Sequence, residues 1–451
     1  MKIKLLIILI AYCLLPAAYS FSQGTWTQKV NFGGTGRRVS SWFAIGGKGY
    51  VGTGESNGPT NDFWEYDPAS NSWTQLANFG GAARYEAVGF AIGSKGYIGT
   101  GWNGANLQDF WEYDPATNMW TQKTSFGGLQ RAGAVGFAMD GVGYIGTGTM
   151  ASASFNDFWQ YDPVNNSWTQ KANFGGTPRY QGAGFAIGNQ GYLGTGNDPT
   201  GYQKDFWEYD PVNNSWMLKA DVGPLGRYRD VGFSIGGKGY IGCGQNTTFQ
   251  FVQDFWEYDP VTNAWTQKAN FGGGNRYDPV GFSIGNKGYI GTGWNGPAQD
   301  WWEYNPVTNL WTQKINFGGV ARGAATGFSI GNKGYLGIGG TGGPYLQDFW
   351  EYTPDSTTSI EEIINSKIQF SIYPNPAREY IVISIQSAIN TKINLIISDV
   401  SGNKVYQTVR NFVKVLNFDK VEINISNFSN GIYFITLTSP EGILVKKFVK
   451  E

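Results

Sequence analysis

The sequence predicts an all-β fold: a seven-bladed β-propeller closed by its own N-terminal strand, followed by a small C-terminal β-sandwich. Three observations carry this. A unit of 46 to 49 residues recurs seven times, each unit holds four short strand-like runs, and the composition shifts abruptly after residue 354. The 451 residues include 66 glycines and 16% aromatics against 15% charged residues, which suits short strands joined by glycine turns and excludes a disordered chain.

Residues 1–20 read as a secretion signal. Lys2 and Lys4 give a basic start, Ile3 to Leu15 an apolar core, and Ala18-Tyr19-Ser20 a small-residue cleavage site. The apolar run is too short to span a membrane, so no transmembrane segment is expected in the mature chain. Cleavage leaves Cys243 as the one cysteine, so packing and not a disulfide must hold the exported chain. A net charge of -1 points to no nucleic-acid partner.

The stretch GKGYVGTG, Gly47 to Gly54, contains G-x-G-x-x-G, the glycine pattern of dinucleotide-binding folds. Its core recurs at Gly96, Gly143, Gly191, Gly239, Gly288 and Gly334. Ser94, Asn189, Asn286 and Asn332 break the full pattern in four copies, and each copy leads into a polar loop. A true fingerprint opens a helix whose N-terminus holds a pyrophosphate. The glycines are therefore read as turn positions and as places where another backbone comes close.

Two further elements repeat in step. DFWEY or a variant starts at Asp62, Asp109, Asp157, Asp205, Asp254, Asp300 and Asp348. W-T-Q-K or a variant starts at Trp26, Trp73, Trp120, Trp168, Trp216, Trp265 and Trp311. All length variation falls between G-x-G and D-F-W, where the loops read ESNGPTN, WNGANLQ, TMASASFN, NDPTGYQK, QNTTFQFVQ, WNGPAQ and GTGGPYLQ. In the second unit the four strands are Ala87 to Ile92, GYIGTG, Asp109 to Asp114 and Trp120 to Thr124, joined by the tight turns GSK and PATN. Trp26 to Val30 is a fourth strand without three before it, and Gly327 to Tyr352 supplies three without a fourth. The N-terminal strand is thus expected beside the last blade, leaving no open edge in the ring.

The glycine pair after the second strand, the Y-D-P-x-T-N-x-W run and the Arg ahead of the first strand resemble kelch repeats. The resemblance covers residues 24 to about 354, with G-x-G in place of the kelch double glycine. It implies the architecture shared by galactose oxidase. That enzyme's copper site needs histidine ligands, and this chain has none, so no such activity and no cofactor is expected.

Residues 21–354 are assigned to the propeller, 355–365 to a polar linker and 366–451 to a second domain. There tryptophan vanishes and short alternating runs follow: IQFSIY, YIVISI, INLIIS, NKVYQTV, KVEINIS, GIYFITLT and ILVKKFV. They suggest a small β-sandwich. IYPNP at Ile372 to Pro376, SGNKVY, NFSNGIYFI and the terminal VKKFVK resemble the C-terminal sorting domain of type IX secretion. That resemblance implies export by the type IX machinery to the medium or the outer-membrane surface of a Gram-negative bacterium.

Without histidine no Ser-His-Asp or Cys-His site can form, and no metal site is expected. The Asp62 set occurs once per blade, and the Glu65 set follows three residues on in every blade except the third, which has Gln160; such repetition marks structural residues. Arg37, Arg84, Arg131, Arg179, Arg227, Arg276 and Arg322 form another such set. They are expected to pair with the repeated carboxylates, the alternative being an anion-binding ring at the channel mouth. The variable loops break the symmetry. Trp102, Asn103, Trp294, Asn295, Tyr202, Phe249 and Tyr345, with Asp198 and Phe251 nearby, are candidate ligand-binding residues, expected to be exposed. Packing of these aromatics within their own loops is the alternative. The reading is a non-catalytic recognition protein for an extracellular glycan or protein. The alternatives are a glycan-active lyase or sugar epimerase using Arg, Tyr and carboxylate groups, and a structural surface protein.

Overall fold

In the second repeat, Val88–Ile92, Lys95–Gly99, Phe110–Asp114 and Met119–Gln122 form an antiparallel meander. Alternation explains the packing: Val88, Phe90 and Ile92 are buried between blades, while the intervening Gly89 and Ala91 are small because inner strands crowd near the axis. A Cβ on Gly143 would stand 2.6 Å from the Phe90 ring of the preceding blade, so glycine permits that approach. The structure, a computed structural model, describes residues 24–151, 153–355, 368–387, 391–399, 404–412, 419–439 and 442–451. The expected signal peptide and nearly all of the expected linker lie outside them.

Among the described residues up to Asp355, seven such four-stranded antiparallel sheets are found. Each inner strand packs on the next, and the ring closes where Ser41–Ile45 meets Thr326–Ile330. The closing sheet borrows its outer strand from the N-terminus: Thr25–Gln28 pairs with Phe349–Thr353, Trp26 opposite Tyr352. Backbone bonds run from blade to blade in the same way all round, from Gly54 N–H to the Arg84 carbonyl at 2.8 Å through to Gly339 N–H and the Arg37 carbonyl at 2.7 Å.

The P-x-T-N turn has a definite task. Asn71, Asn118, Asn166, Asn214, Asn263 and Asn309 all hold φ between 47° and 54°, a region Asn tolerates well. From there the Asn118 Oδ1 accepts from Tyr113 Oη at 3.0 Å and from Ala77 N–H of the preceding blade at 2.9 Å. The turn therefore ties neighbouring blades together.

The chain divides into two compact units, one ending at Asp355 and one beginning at Ser356. In the second, Ile368–Tyr373, Tyr380–Ser387 and Asp419–Asn424 form one sheet. Lys404–Phe412, Thr391–Asp399, Gly431–Ser439 and Gly442–Lys450 form the other. Ile381, Ile383, Ile393, Leu395, Ile397, Ile435 and Phe448 fill a shared core between them. Among the described residues no helix is long and apolar enough to cross a membrane.

Candidate functional site

One face collects every variable loop. In each blade the residue after the repeated Arg pairs with the first residue of the variable loop: Arg38 with Glu55, Tyr85 with Trp102, Ala132 with Thr149, Tyr180 with Asn197, Tyr228 with Gln245, Tyr277 with Trp294 and Gly323 with Gly340. Four tyrosines and an arginine therefore stand around one mouth.

The repeated arginines lie beneath it, each paired with a carboxylate. Arg84 grips Asp109 through two bonds of 2.6 and 2.7 Å, donates to the Thr100 carbonyl at 2.9 Å and covers the Phe79 ring. Arg37, Arg131, Arg179, Arg227, Arg276 and Arg322 pair with Asp62, Asp157, Asp205, Asp254, Asp300 and Asp348 at 2.5–2.6 Å. All seven side chains are buried. Each carboxylate also accepts the indole N–H two residues on, as Trp111 donates to Asp109 at 2.7 Å. The anion-ring alternative is corrected here: these guanidiniums are spent on carboxylates and present no free donor fork at the mouth. The Glu65 set is structural too, Glu65 accepting from Tyr50 Oη at 2.7 Å and Glu112 from Tyr97 Oη at 2.6 Å.

Two residues beyond each of these arginines lies a second ring: Val39, Glu86, Gly133, Gln181, Arg229, Asp278 and Ala324, all with φ between 48° and 61°. Backbone bonds link its members, Gln181 N–H to Gly133 at 3.0 Å and Asp278 N–H to Arg229 at 3.0 Å. The backbone repeats but the side chains do not. Arg229 donates from Nη1 to Asp278 Oδ2 at 3.1 Å and from Nε to Gln181 Oε1 at 3.2 Å. Gln181 donates in turn to Glu86 Oε1 at 3.3 Å, reaching across a whole blade because Gly133 has no side chain. Burial pushes the Glu86 and Asp278 carboxyls above their usual range, against the pull of Arg229. Sequence reasoning missed this cluster. Its signal was a repeated position whose residue type changes from unit to unit.

The expected loop residues sit around the rim, less exposed than anticipated. Trp102 leans on Tyr85 with ring centroids 5.2 Å apart. Tyr202 stacks on Tyr228 at 4.3 Å, and Phe249, 75% exposed, meets the Tyr202 edge. Phe251 packs on Tyr277, and Arg38 lies over Tyr345 while bonding Glu55 at 2.8 Å. Trp294 covers Gly323 so closely that no Cβ fits there. Asn295 is exposed and donates to the Asn275 carbonyl at 3.1 Å; Asn103 is half-buried and accepts from Ala105 N–H. Asp198 accepts from Thr177 and Thr200 and organises its own loop. For Trp102, Tyr202 and Phe251 the cause is a ring to rest on, Tyr85, Tyr228 and Tyr277, each of which follows a repeated Arg.

A cavity of about 440 Å³ runs along the inner strands of the first three blades, lined by Ser40, Ser41, Trp42, Ala87, Gly89 and Gly136 among others. Among the described residues no group of three or more Cys, Asp or Glu is placed to hold a metal ion.

Residues 43–80 match the Kelch motif, and residues 371–451 match the secretion system C-terminal sorting domain. No curated protein sequence matches the chain. A solved structure of YjhT is 18% identical, with a TM-score of 0.53 over 63% of this chain and 99% of that one. A fungal alcohol oxidase of the AA5 family, solved in complex with copper, is 15% identical, with a TM-score of 0.60 over 95% of this chain and 100% of that one. At these identities the likeness is one of fold. The donor set for copper is not carried over, since the chain has no histidine and its described cysteine, Cys243, is buried. The sheets, their closure and the two family matches agree: a β-propeller that carries a Kelch motif is followed by a secretion system C-terminal sorting domain, which marks the chain for secretion or display at the cell surface.

Proposed function

We propose that this exported propeller is a recognition protein that binds an extracellular glycan at the mouth ringed by its variable loops. The observation that carries the reading is the side-chain chain Glu86–Gln181–Arg229–Asp278. Sevenfold repetition explains the buried Arg–Asp pairs as scaffold; it does not explain a polar cluster that uses four of seven equivalent positions. Carboxylates, an amide and a guanidinium beside Tyr85, Tyr180, Tyr228 and Tyr277 suit a ligand with hydroxyls on its edge and apolar faces. In this reading Trp102, Tyr202, Phe249, Trp294 and Tyr345 form the outer contact surface, and the sorting domain hands the chain to the type IX machinery for delivery to the outer-membrane surface. Residues 1–20 act as the signal peptide and 355–365 as the linker.

A second reading is acid–base chemistry on the bound sugar. It is favoured by Glu86 and Asp278, two carboxyls raised by burial beside one arginine. A glycan array probed with the purified protein tests the binding reading. Array signals lost in Arg229→Ala, with unchanged folding, are expected; signals that persist unchanged in that variant would move the site elsewhere. Turnover of an array-positive glycan would favour the second reading.

A further inference from the structure

The position that packs against the preceding inner strand is Gly89, Gly136, Gly184, Gly232, Gly281 and Gly327 in six blades and Trp42 in the first. Glycine is what the crowding asks for: a Cβ on Gly89 would stand 3.0 Å from Ser41. Trp42 is nevertheless 40% exposed. One face of its ring stacks on Phe328, with centroids 5.5 Å apart and planes 24° off parallel, and the ring lines the axial cavity. The rest of the lining is Ser, Ala and Gly with the buried Phe43 and Phe90, so the half-exposed indole of Trp42 supplies the aromatic surface open to the cavity.

The rim of that cavity is unevenly charged. Arg38 is paired with Glu55 and Arg229 with Asp278. Glu86, adjacent to the lining residue Ala87, has no ion-pair partner among the described residues; its side-chain bond is to the neutral Gln181. Ser40 Oγ, in the cavity lining, is buried without a hydrogen-bond partner. A cavity of about 440 Å³ lies within the roughly 300–1,000 Å³ of small-ligand sites.

We propose that the axial cavity is the subsite for the terminal residue of an amino-bearing glycan, its ring stacked on Trp42 and its ammonium facing Glu86. This rests on the glycan-binding reading above and deepens it. An indole face is the best aromatic partner for a cation, and a carboxylate pushed up by burial is relieved by an ammonium beside it.

The test uses the purified protein and three tetrasaccharides: a glucosamine tetramer, its fully N-acetylated counterpart and a neutral glucose tetramer, titrated by calorimetry at pH 6. The glucosamine tetramer is expected to bind about tenfold or more tighter than the other two. Trp42→Gly installs the residue of the other six blades, so folding is expected to survive, and Trp42→Phe serves as a second variant retaining a ring. Trp42→Gly is expected to lose about tenfold in affinity, Trp42→Phe less, and Glu86→Gln to erase the preference for the free amine. Equal affinity for the three tetramers, or unchanged affinity in Trp42→Gly, overturns the proposal. Binding of a lysine-rich peptide in preference to every tetramer overturns it too. A neutral glycan that binds and is lost in Arg229→Ala, but not in Trp42→Gly, overturns this inference while leaving the mouth as the glycan site.

Discussion

Arg229 crosses a blade boundary to bond Asp278 at 3.1 Å, whereas Arg227, two residues earlier, bonds Asp254 of its own blade at 2.6 Å. The two pairs differ in what surrounds them. Arg227 is buried, and removing Asp254 leaves its charge without compensation. Asp254→Asn is therefore expected to cost about 3–5 kcal/mol. Arg229 is about one-third exposed at the mouth, and Arg229→Gln is expected to cost under about 1 kcal/mol. Urea denaturation of both variants checks the contrast; equal losses would mean that the mouth cluster is scaffold.

Ring closure rests on one short strand. Trp26 pairs opposite Tyr352 and lies 5.2 Å from Trp301 and 5.1 Å from Phe317 across the blade boundary. Trp26→Ala is expected to lower stability by about 2–4 kcal/mol, and deletion of residues 24–31 to lower the Tm further. An unchanged Tm in the deletion variant would show that the last sheet does not need its borrowed strand.

Asp230 gives an inverted pH dependence. Burial pushes its carboxyl up to about 6, opposed by Arg227 and by a hydrogen bond with Thr195, and its Oδ2 has no partner. Because the folded pKa lies above the unfolded one, the native chain holds the extra proton. The contribution of this group is intact below about pH 4 and is lost as pH rises through about 6. Asp230→Asn removes the cost of a buried charge, so the variant is expected to exceed the parent by about 1–3 kcal/mol at pH 7.5, with the gap closing near pH 4. Denaturation at the two pH values decides it; a gap of one size at both would place the Asp230 charge in water.

The two compact units should separate cleanly. Deleting residues 356–451 is expected to leave the thermal transition of the propeller in place while stopping export in a host with type IX secretion, so that the chain collects in the periplasm. Normal export of the shortened chain would contradict the sorting role.

The scaffold was legible because its causes are periodic. Repeated tryptophans, G-x-G and D-F-W fall at fixed spacing, and the orphan strand at Trp26 predicted the closure that Tyr352 completes. The mouth cluster was not legible, because its residues come together only through the ring. Gln181 and Glu86 are 95 residues apart and meet because the blade between them carries Gly133. Trp42 likewise looks like one more strand aromatic until it is placed against the six glycines that occupy its position elsewhere. The loop aromatics were found by their variability, but their half-burial depends on partners such as Tyr85 and Tyr228 that the linear pattern does not connect to them.

The most direct test of the account is a crystal structure of the protein soaked with an oligosaccharide selected on the array. Density for the sugar is expected at the variable-loop mouth, within hydrogen-bonding distance of Glu86 or Arg229 and reaching towards Trp42. Sugar density on the opposite face, around the exposed turn residues Val164 and Val261, with an empty mouth, would contradict it.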